Sequence, residues 1–281
     1  MAVVKKIGNR SSVPTSGVSF LLKTPEGLSL PEGPTAPSED YKEFIYLIYG
    51  ERKIGKTSFA SKFDDAMFLM CEPGGKGLAI AQVAVNRWVE FVRYVELLTQ
   101  DDRYKTVVID TADNAYNFCM DYVCAKIGID HPGGQDDYGK SWAAVDNEFK
   151  RVINLLLQSG KGCVFISHAS TREIKTKSGS KFSKLEPSMA MQARRYLIGI
   201  VDVVAYYGYD GKDRILVIDG DEYVESGNRI TRHFRDKVTG ERINIIPMGK
   251  SEEEAFSNFI KAFNNELSLT TAKAKKEKSV E

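Results

Sequence analysis

Between residues 50 and 57 the chain reads Gly50-Glu51-Arg52-Lys53-Ile54-Gly55-Lys56-Thr57, and Ser58 follows. Two glycines five positions apart, then a lysine and a hydroxyl, fit the pattern G-x-x-x-x-G-K-[ST]. A loop of this kind turns its backbone N–H groups inward around phosphate oxygens. The apolar run "EFIYLIY" ahead of it predicts a strand, and "GKTSFASKF" behind it predicts the opening of a helix. The strand–loop–helix setting the pattern requires is therefore present. Residues 50–58 are the expected phosphate-binding set. Lys56 is positioned to reach the β- and γ-phosphates, Thr57 to hold Mg²⁺, and Arg52 and Lys53 to face solvent.

A phosphate loop does not by itself separate hydrolases, kinases and switches. The run "TVVIDTADNA" ends an apolar strand in Asp110, where a carboxylate can orient the water shell of Mg²⁺. Thr111 follows it, so a carboxylate to orient and polarise attacking water must come from elsewhere. Glu72 is the expected base, because it ends the strand "AMFLMC" just after the phosphate-loop helix. At the C-terminal edge of a parallel sheet it faces the nucleotide crevice. Asp113 is the next choice. His168 ends the strand "GCVFIS" and is placed to bond the γ-phosphate and report its loss to the loop that follows.

Short apolar runs alternate with helical patterns, which predicts an α/β fold with a mostly parallel central sheet flanked by helices. Helices are expected at "NAYNFCMDYVCAKIG", "AAVDNEFKRVINLLLQSG" and, with Ser251 as N-cap, "SEEEAFSNFIKAFNNEL". The consecutive runs "IVDVVAYYGY", "RILVID" and "RITRHF" predict antiparallel C-terminal strands. Residues 1–40, rich in Pro, Gly and Ser, are expected to be a flexible arm, in which "GVSFLL" could pack as a strand. Residues 41–267 are the expected core, and 268–281 a disordered lysine-containing tail.

With 39 Lys+Arg against 38 Asp+Glu, bulk charge names no partner, so any nucleic-acid site must be a local patch. One candidate is residues 170–184, "STREIKTKSGSKFSK". Arg172, Lys175, Lys177, Lys181 and Lys184 stand there against Glu173 alone. Ser and Gly between them predict a mobile loop, and Phe182 could stack on a base. No apolar run approaches the roughly 20 residues that span a bilayer, so no membrane partner is expected. The four cysteines, Cys71, Cys119, Cys124 and Cys163, form no CxxC pair. They are expected to be reduced and mostly buried in a cytoplasmic protein.

Taken in order, these motifs resemble the RecA-like recombinase ATPases, and more closely the phage-encoded RecA-like single-strand annealing ATPases. The features that carry the resemblance are "YGERKIGKTSFA", "VVIDTADN", "DDYGKSW", "VFISH" and "VDVVAYYG". The resemblance covers about residues 43–210. It implies a RecA-like P-loop fold and ATP as substrate with Mg²⁺. It also implies ATP-dependent self-assembly, as filament or ring, on single-stranded DNA. The setting would be a bacterial host's cytoplasm, with a single-strand-binding protein as a further partner. It places a DNA-binding loop at 170–184. It makes Arg235 and Lys237 of "RITRHFRDK" the basic pair that reaches a neighbour's ATP. Other readings stay open: a hexameric replication or packaging motor, a non-DNA phosphotransferase or signalling ATPase, and an accessory module that uses ATP only as a clamp.

Overall fold

Residues Ile45–Gly50 form strand β1, Lys56–Ala60 helix α1 and Ala66–Met70 strand β2. Strand β3 (Ala81–Ala84), helix α2 (Trp88–Leu98) and strand β4 (Thr106–Asp110) come next. Helices α3 (Ala112–Ile127) and α4 (Lys140–Leu157) lead to a hairpin of β5 (Gly162–Lys175) and β6 (Lys181–Pro187). Helix α5 (Met191–Ile200) precedes β7 (Val203–Asp210), β8 (Asp213–Val217), β9 (Gly227–Asn228), β10 (Ile245–Gly249) and helix α6 (Glu252–Phe263). The computed structural model describes residues 30–134, 137–177 and 179–269. The chain divides into two compact units, Met1–Pro37 and Ser38–Glu281. Of the first, residues 30–37 are described and form neither helix nor strand. The expected strand at "GVSFLL" and the tail from residue 270 lie outside the described residues.

The sheet runs in the order β10-β8-β7-β1-β5-β4-β2-β3, with β6 paired to β5 and β9 to β7. Strands β7, β1, β5, β4, β2 and β3 are mutually parallel. β8 and β10 add on antiparallel. This is the expected class: a mostly parallel sheet with antiparallel strands toward the C-terminal side.

Side chains alternate along each strand, so both faces are apolar and both need cover. Leu47, Tyr49, Val107, Ile109 and Phe165 face one layer, which Trp88, Phe91, Tyr116 and Phe149 of α2, α3 and α4 fill. Tyr46, Ile48, Val108, Val164 and Ile166 face the other, filled by Phe59, Phe63, Phe259 and Phe263. Phe59 meets Phe259 edge-on at 5.4 Å, which fastens α1 to the C-terminal helix. Helix α6 starts as expected, with Ser251 Oγ accepting from the Glu254 N–H at 3.2 Å.

Two expectations need correction. Residues 170–175 and 181–184 are paired strands rather than one mobile loop. β5 and β6 pair from Ala169↔Pro187 to Lys175↔Lys181, with Ile174 opposite Phe182. The backbone ladder supplies the order that polar side chains concealed. Second, "RITRHF" is not a strand. Asn228 Oδ1 accepts from the Ile230 N–H at 2.8 Å, which turns the chain, and Phe234 has φ 57°. The apolar residues Ile230 and Phe234 are core, but they reach it from an irregular segment. Helices α2 and α5 and strands β3, β6, β9 and β10 have no counterpart among the expected elements.

The four cysteines are free and buried. Burial pushes the Cys163 thiol up to about 12 and raises those of Cys71, Cys119 and Cys124 as well, leaving inert thiols. No helix among the described residues is long and apolar enough to cross a membrane.

Phe149 meets Tyr116 edge-on at 5.1 Å and Trp88 at 6.0 Å, and so joins α4 to α3 and α2. Phe149→Ala is expected to destabilise the fold by about 3–5 kcal/mol. Urea unfolding followed by tryptophan fluorescence measures it.

Candidate phosphate-binding site

All the loops that follow the parallel strands leave one edge of the sheet, and strand register decides which residues meet there. Gly50 at the end of β1 pairs with His168 on β5 and with Tyr207 on β7. Met70 on β2 pairs with Asp110 on β4, and Asp110 with Ile166 on β5. The N–H groups of Cys71 and Glu72 both donate to the Asp110 carbonyl, at 2.6 and 3.2 Å. These interactions gather a cleft of about 190 Å³ lined by Lys53, Gly55, Lys56, Thr57, Ser58, Glu72, Asp110 and His168.

Each glycine of the loop has its own reason. A Cβ on Gly50 would lie 2.1 Å from the Tyr207 carbonyl oxygen, so β1 can approach β7 only without a side chain. Gly55, which caps α1, has φ 111°, a conformation other residues rarely adopt. The regular part of α1 is five residues long, and Lys62 and Phe63 close it with tighter bonds to Phe59 and Ala60. Ile54 is buried in the core behind the loop, while Glu51, Arg52 and Lys53 are exposed. Lys53, a member of the expected phosphate-binding set, also borders the cleft.

Lys56 is buried, and its Nζ donates to the carbonyls of Gly50 at 2.9 Å and Glu51 at 2.7 Å. Burial lowers its pKa, and the nearby Asp110, Glu72 and Asp113 carboxylates oppose that shift. Thr57 Oγ1 donates to Asp110 Oδ2 at 2.6 Å. Asp110 is 2% exposed, and burial raises its carboxyl pKa even though the Thr57 bond lowers it. Glu72 Oε2 lies 3.2 Å from His168 Nε2. The other ring nitrogen, His168 Nδ1, is buried without a hydrogen-bond partner, as are Thr111 Oγ1 and Asp113 Oδ2. Asp113 also accepts a short hydrogen bond from Ser188 Oγ.

The donor set suits a phosphate-bound divalent cation. Among the described residues no cluster of three or more His, Cys, Asp or Glu could hold a metal alone. A hydroxyl and a carboxylate in contact are hard oxygen donors of the kind that leave Mg²⁺ most of its shell for phosphate and water. Thr57 and Asp110 would be its protein side.

The structure brings together Lys56, Thr57, Ser58, Asp110 and Glu72 from the ends of β1, β4 and β2 with His168, and separates them from two other groups; His168 does not end its strand as expected, because β5 runs on past it to Lys175. Of the basic segment, Arg172 pairs with Glu186 at 2.9 Å, Lys181 with Glu173 at 2.7 Å and Lys184 with Glu225 at 2.6 Å. Only Lys175 and Lys177 of the five cations expected on DNA form no ion pair among the described residues, and both are exposed. Arg235 and Lys237 do not share a strand face, because the segment is irregular. Arg235 instead donates to the carbonyls of Thr231 and Gly240, both at 3.0 Å, and Lys237 is exposed.

A parallel sheet, a glycine-bounded loop with an inward lysine, and a hydroxyl–carboxylate pair at its edge define a P-loop ATPase. The family model described as AAA domain matches residues 42–230, and the chain belongs to that family. It is similar to the SPbeta prophage-derived uncharacterized protein YorG of Bacillus subtilis (strain 168), 26% identical over 176 residues. That alignment takes in 60% of this chain and 52% of the relative, so the chain spans about half the relative's length. Among solved structures it is similar to the KaiC-like protein PH0186 of Pyrococcus horikoshii OT3. The identity is 14%, over 73% of this chain and 85% of that one, with a TM-score of 0.42.

A buried carboxyl with a raised pKa contributes stability below its unfolded value, and that contribution is lost as pH rises through the folded value. Asp110→Asn removes a buried charge that is unfavourable at high pH. The nucleotide-free variant is therefore expected to melt above the wild type at pH 8, with the difference narrowing toward pH 4. ATP turnover should meanwhile fall by about 10- to 100-fold. Calorimetry and a phosphate-release assay check the two halves.

Proposed function

We propose that this ATPase binds single-stranded DNA, that DNA stimulates its hydrolysis, and that it promotes strand annealing or exchange in the manner of RecA-like recombinases. One observation carries the reading. His168 lines the cleft, and the same strand, β5, runs on from it into the basic hairpin. Nucleotide state and hairpin geometry thus share a rigid element.

In the chemical step, Lys56 exchanges the Gly50 and Glu51 carbonyls for phosphate oxygens. Glu72 accepts a proton from water while the water oxygen bonds to the γ-phosphorus. The bond from that phosphorus to the bridging oxygen breaks, and ADP takes the electron pair. Mg²⁺, held at Thr57 and Asp110, would supply positive charge beside the developing negative charge. His168 bonds Glu72 and so orients the base. A change at the γ-phosphate that moves His168 moves the root of the hairpin with it.

On the hairpin, Lys175 and Lys177 supply free positive charge and Phe182 an aromatic face. Phe182 is partly covered, meeting Tyr223 edge-on at 5.6 Å. The prophage-derived relative supports a phage setting, and so a bacterial cytoplasm. Self-assembly as filament or ring, and a single-strand-binding protein as partner, belong to the same proposal. Of the two residues suggested to reach a neighbour's ATP, Lys237 is the more available, since Arg235 is bonded to backbone carbonyls.

Fluorescence anisotropy on oligo-dT at several salt concentrations tests the DNA site. Changing both Lys175 and Lys177 to Gln should flatten the log–log salt dependence by about 1.4, at roughly 0.7 for each phosphate no longer neutralised. Phe182→Ala should weaken binding by about 1–3 kcal/mol with little change in slope. A double-Gln variant with wild-type affinity and slope would reject the hairpin as the DNA site.

A further inference from the structure

A second cation stands beside the phosphate loop, and neither the motif nor the family assignment accounts for it. Arg214 lies on β8, opposite Tyr209 of β7 and Gly249 of β10. Its Nη1 is 3.9 Å from the position a Cβ would take on Gly55, and Tyr207 Oη is also 3.9 Å from it. Gly55 is the loop residue just before Lys56, so the guanidinium borders the same loop from the antiparallel side of the sheet.

The surroundings of Arg214 are unusual for a half-buried arginine. The hydroxyls of Tyr209 and Tyr207 hydrogen-bond its guanidinium, and no ion pair of Arg214 stands among the described residues. Tyr207 is 2% exposed and its ring meets Phe59 of α1 edge-on at 6.1 Å, which fixes one of these hydroxyls. A guanidinium has five N–H donors in a rigid fork, and two hydroxyls cannot engage all of them. An anion entering the loop it borders would meet this fork. Planar two-pronged recognition of phosphate is what this side chain does best.

We propose that Arg214 contacts the phosphates of the bound nucleotide from within the same chain, as a second phosphate-recognising cation beside Lys56. The inference rests on the ATPase reading and assigns the antiparallel strands a part in it. β7 and β8 would then be more than a sheet extension, because they would carry a residue that distinguishes a charged nucleotide from a neutral nucleoside. It also gives Gly55 a further role, since any side chain there would fill the space between the guanidinium and the loop.

Binding of a fluorescent ATP analogue, with Mg²⁺ and with EDTA, tests the assignment in the full chain. Arg214→Met should bind the analogue about 10- to 100-fold more weakly than wild type in both conditions, the range of one or two charge-assisted hydrogen bonds. Arg214→Lys keeps the charge and loses the fork, so it should fall in between. Melting of the nucleotide-free protein separates a phosphate ligand from a structural residue, because a merely structural arginine would lower the melting temperature and leave affinity unchanged. If Arg214→Met does not fold, Arg214→Lys carries the test alone. Wild-type affinity in a folded variant overturns the proposal and leaves the ATPase reading intact. A wild-type protein that binds no ATP analogue overturns both.

Discussion

The parallel pairing of β1 with β5 on one side and β7 on the other is the constraint on which the rest depends. It sets Gly50 level with His168 and Tyr207. The pairing of β4 with β2 and β5 then brings Asp110 level with Met70 and Ile166. A slip of one residue in either pairing would turn a cleft residue toward a helical layer, because side chains alternate between the two faces. That penalty is large here. Both faces are filled with aromatic and branched residues, so the position of the loops is held by the whole core rather than by the loops themselves.

The site concentrates charge where burial disfavours it. Lys56 and Asp110 are each 5% exposed or less, and their pKa values are displaced toward the neutral forms. What keeps them there is local. Backbone carbonyls hold the ammonium, Thr57 holds the carboxylate, and opposite charges stand nearby. Groups arranged in this way are ready to exchange partners when a polyphosphate and its cation arrive. The unpartnered atoms Thr111 Oγ1, Asp113 Oδ2 and His168 Nδ1 add unmet bonding capacity around the strand ends that form the cleft.

How much was legible in the sequence follows from which signals are local. The phosphate loop was legible because its chemistry is written in eight consecutive residues. The places of Asp110 and Glu72 at the cleft were legible because each ends an apolar run, and strand ends in a parallel sheet face the crevice; His168 also ends an apolar run and lines the cleft, but its strand runs on past it. The hairpin was not legible: a pair of strands with few apolar residues is held by its backbone ladder, and its lysines look free until their partners across the strands are known. Glu186 and Glu225, which pair with Arg172 and Lys184, lie outside the basic segment itself. "RITRHF" failed for the opposite reason. Its apolar residues are core, but alternation does not reveal a positive φ at Phe234 or a side-chain turn at Asn228. Arg214 gave no signal because its neighbour Gly55 is some 160 positions away in the chain.

The central claim is that Glu72, held at 3.2 Å from His168, is the carboxylate that activates water at the cleft. ATP turnover by Glu72→Gln, measured alongside the amount of ATP bound, tests it most directly. The account predicts wild-type-like occupancy with turnover lower by roughly 100-fold or more, since the amide keeps the shape and cannot take the proton. Turnover equal to wild type at equal occupancy would contradict it.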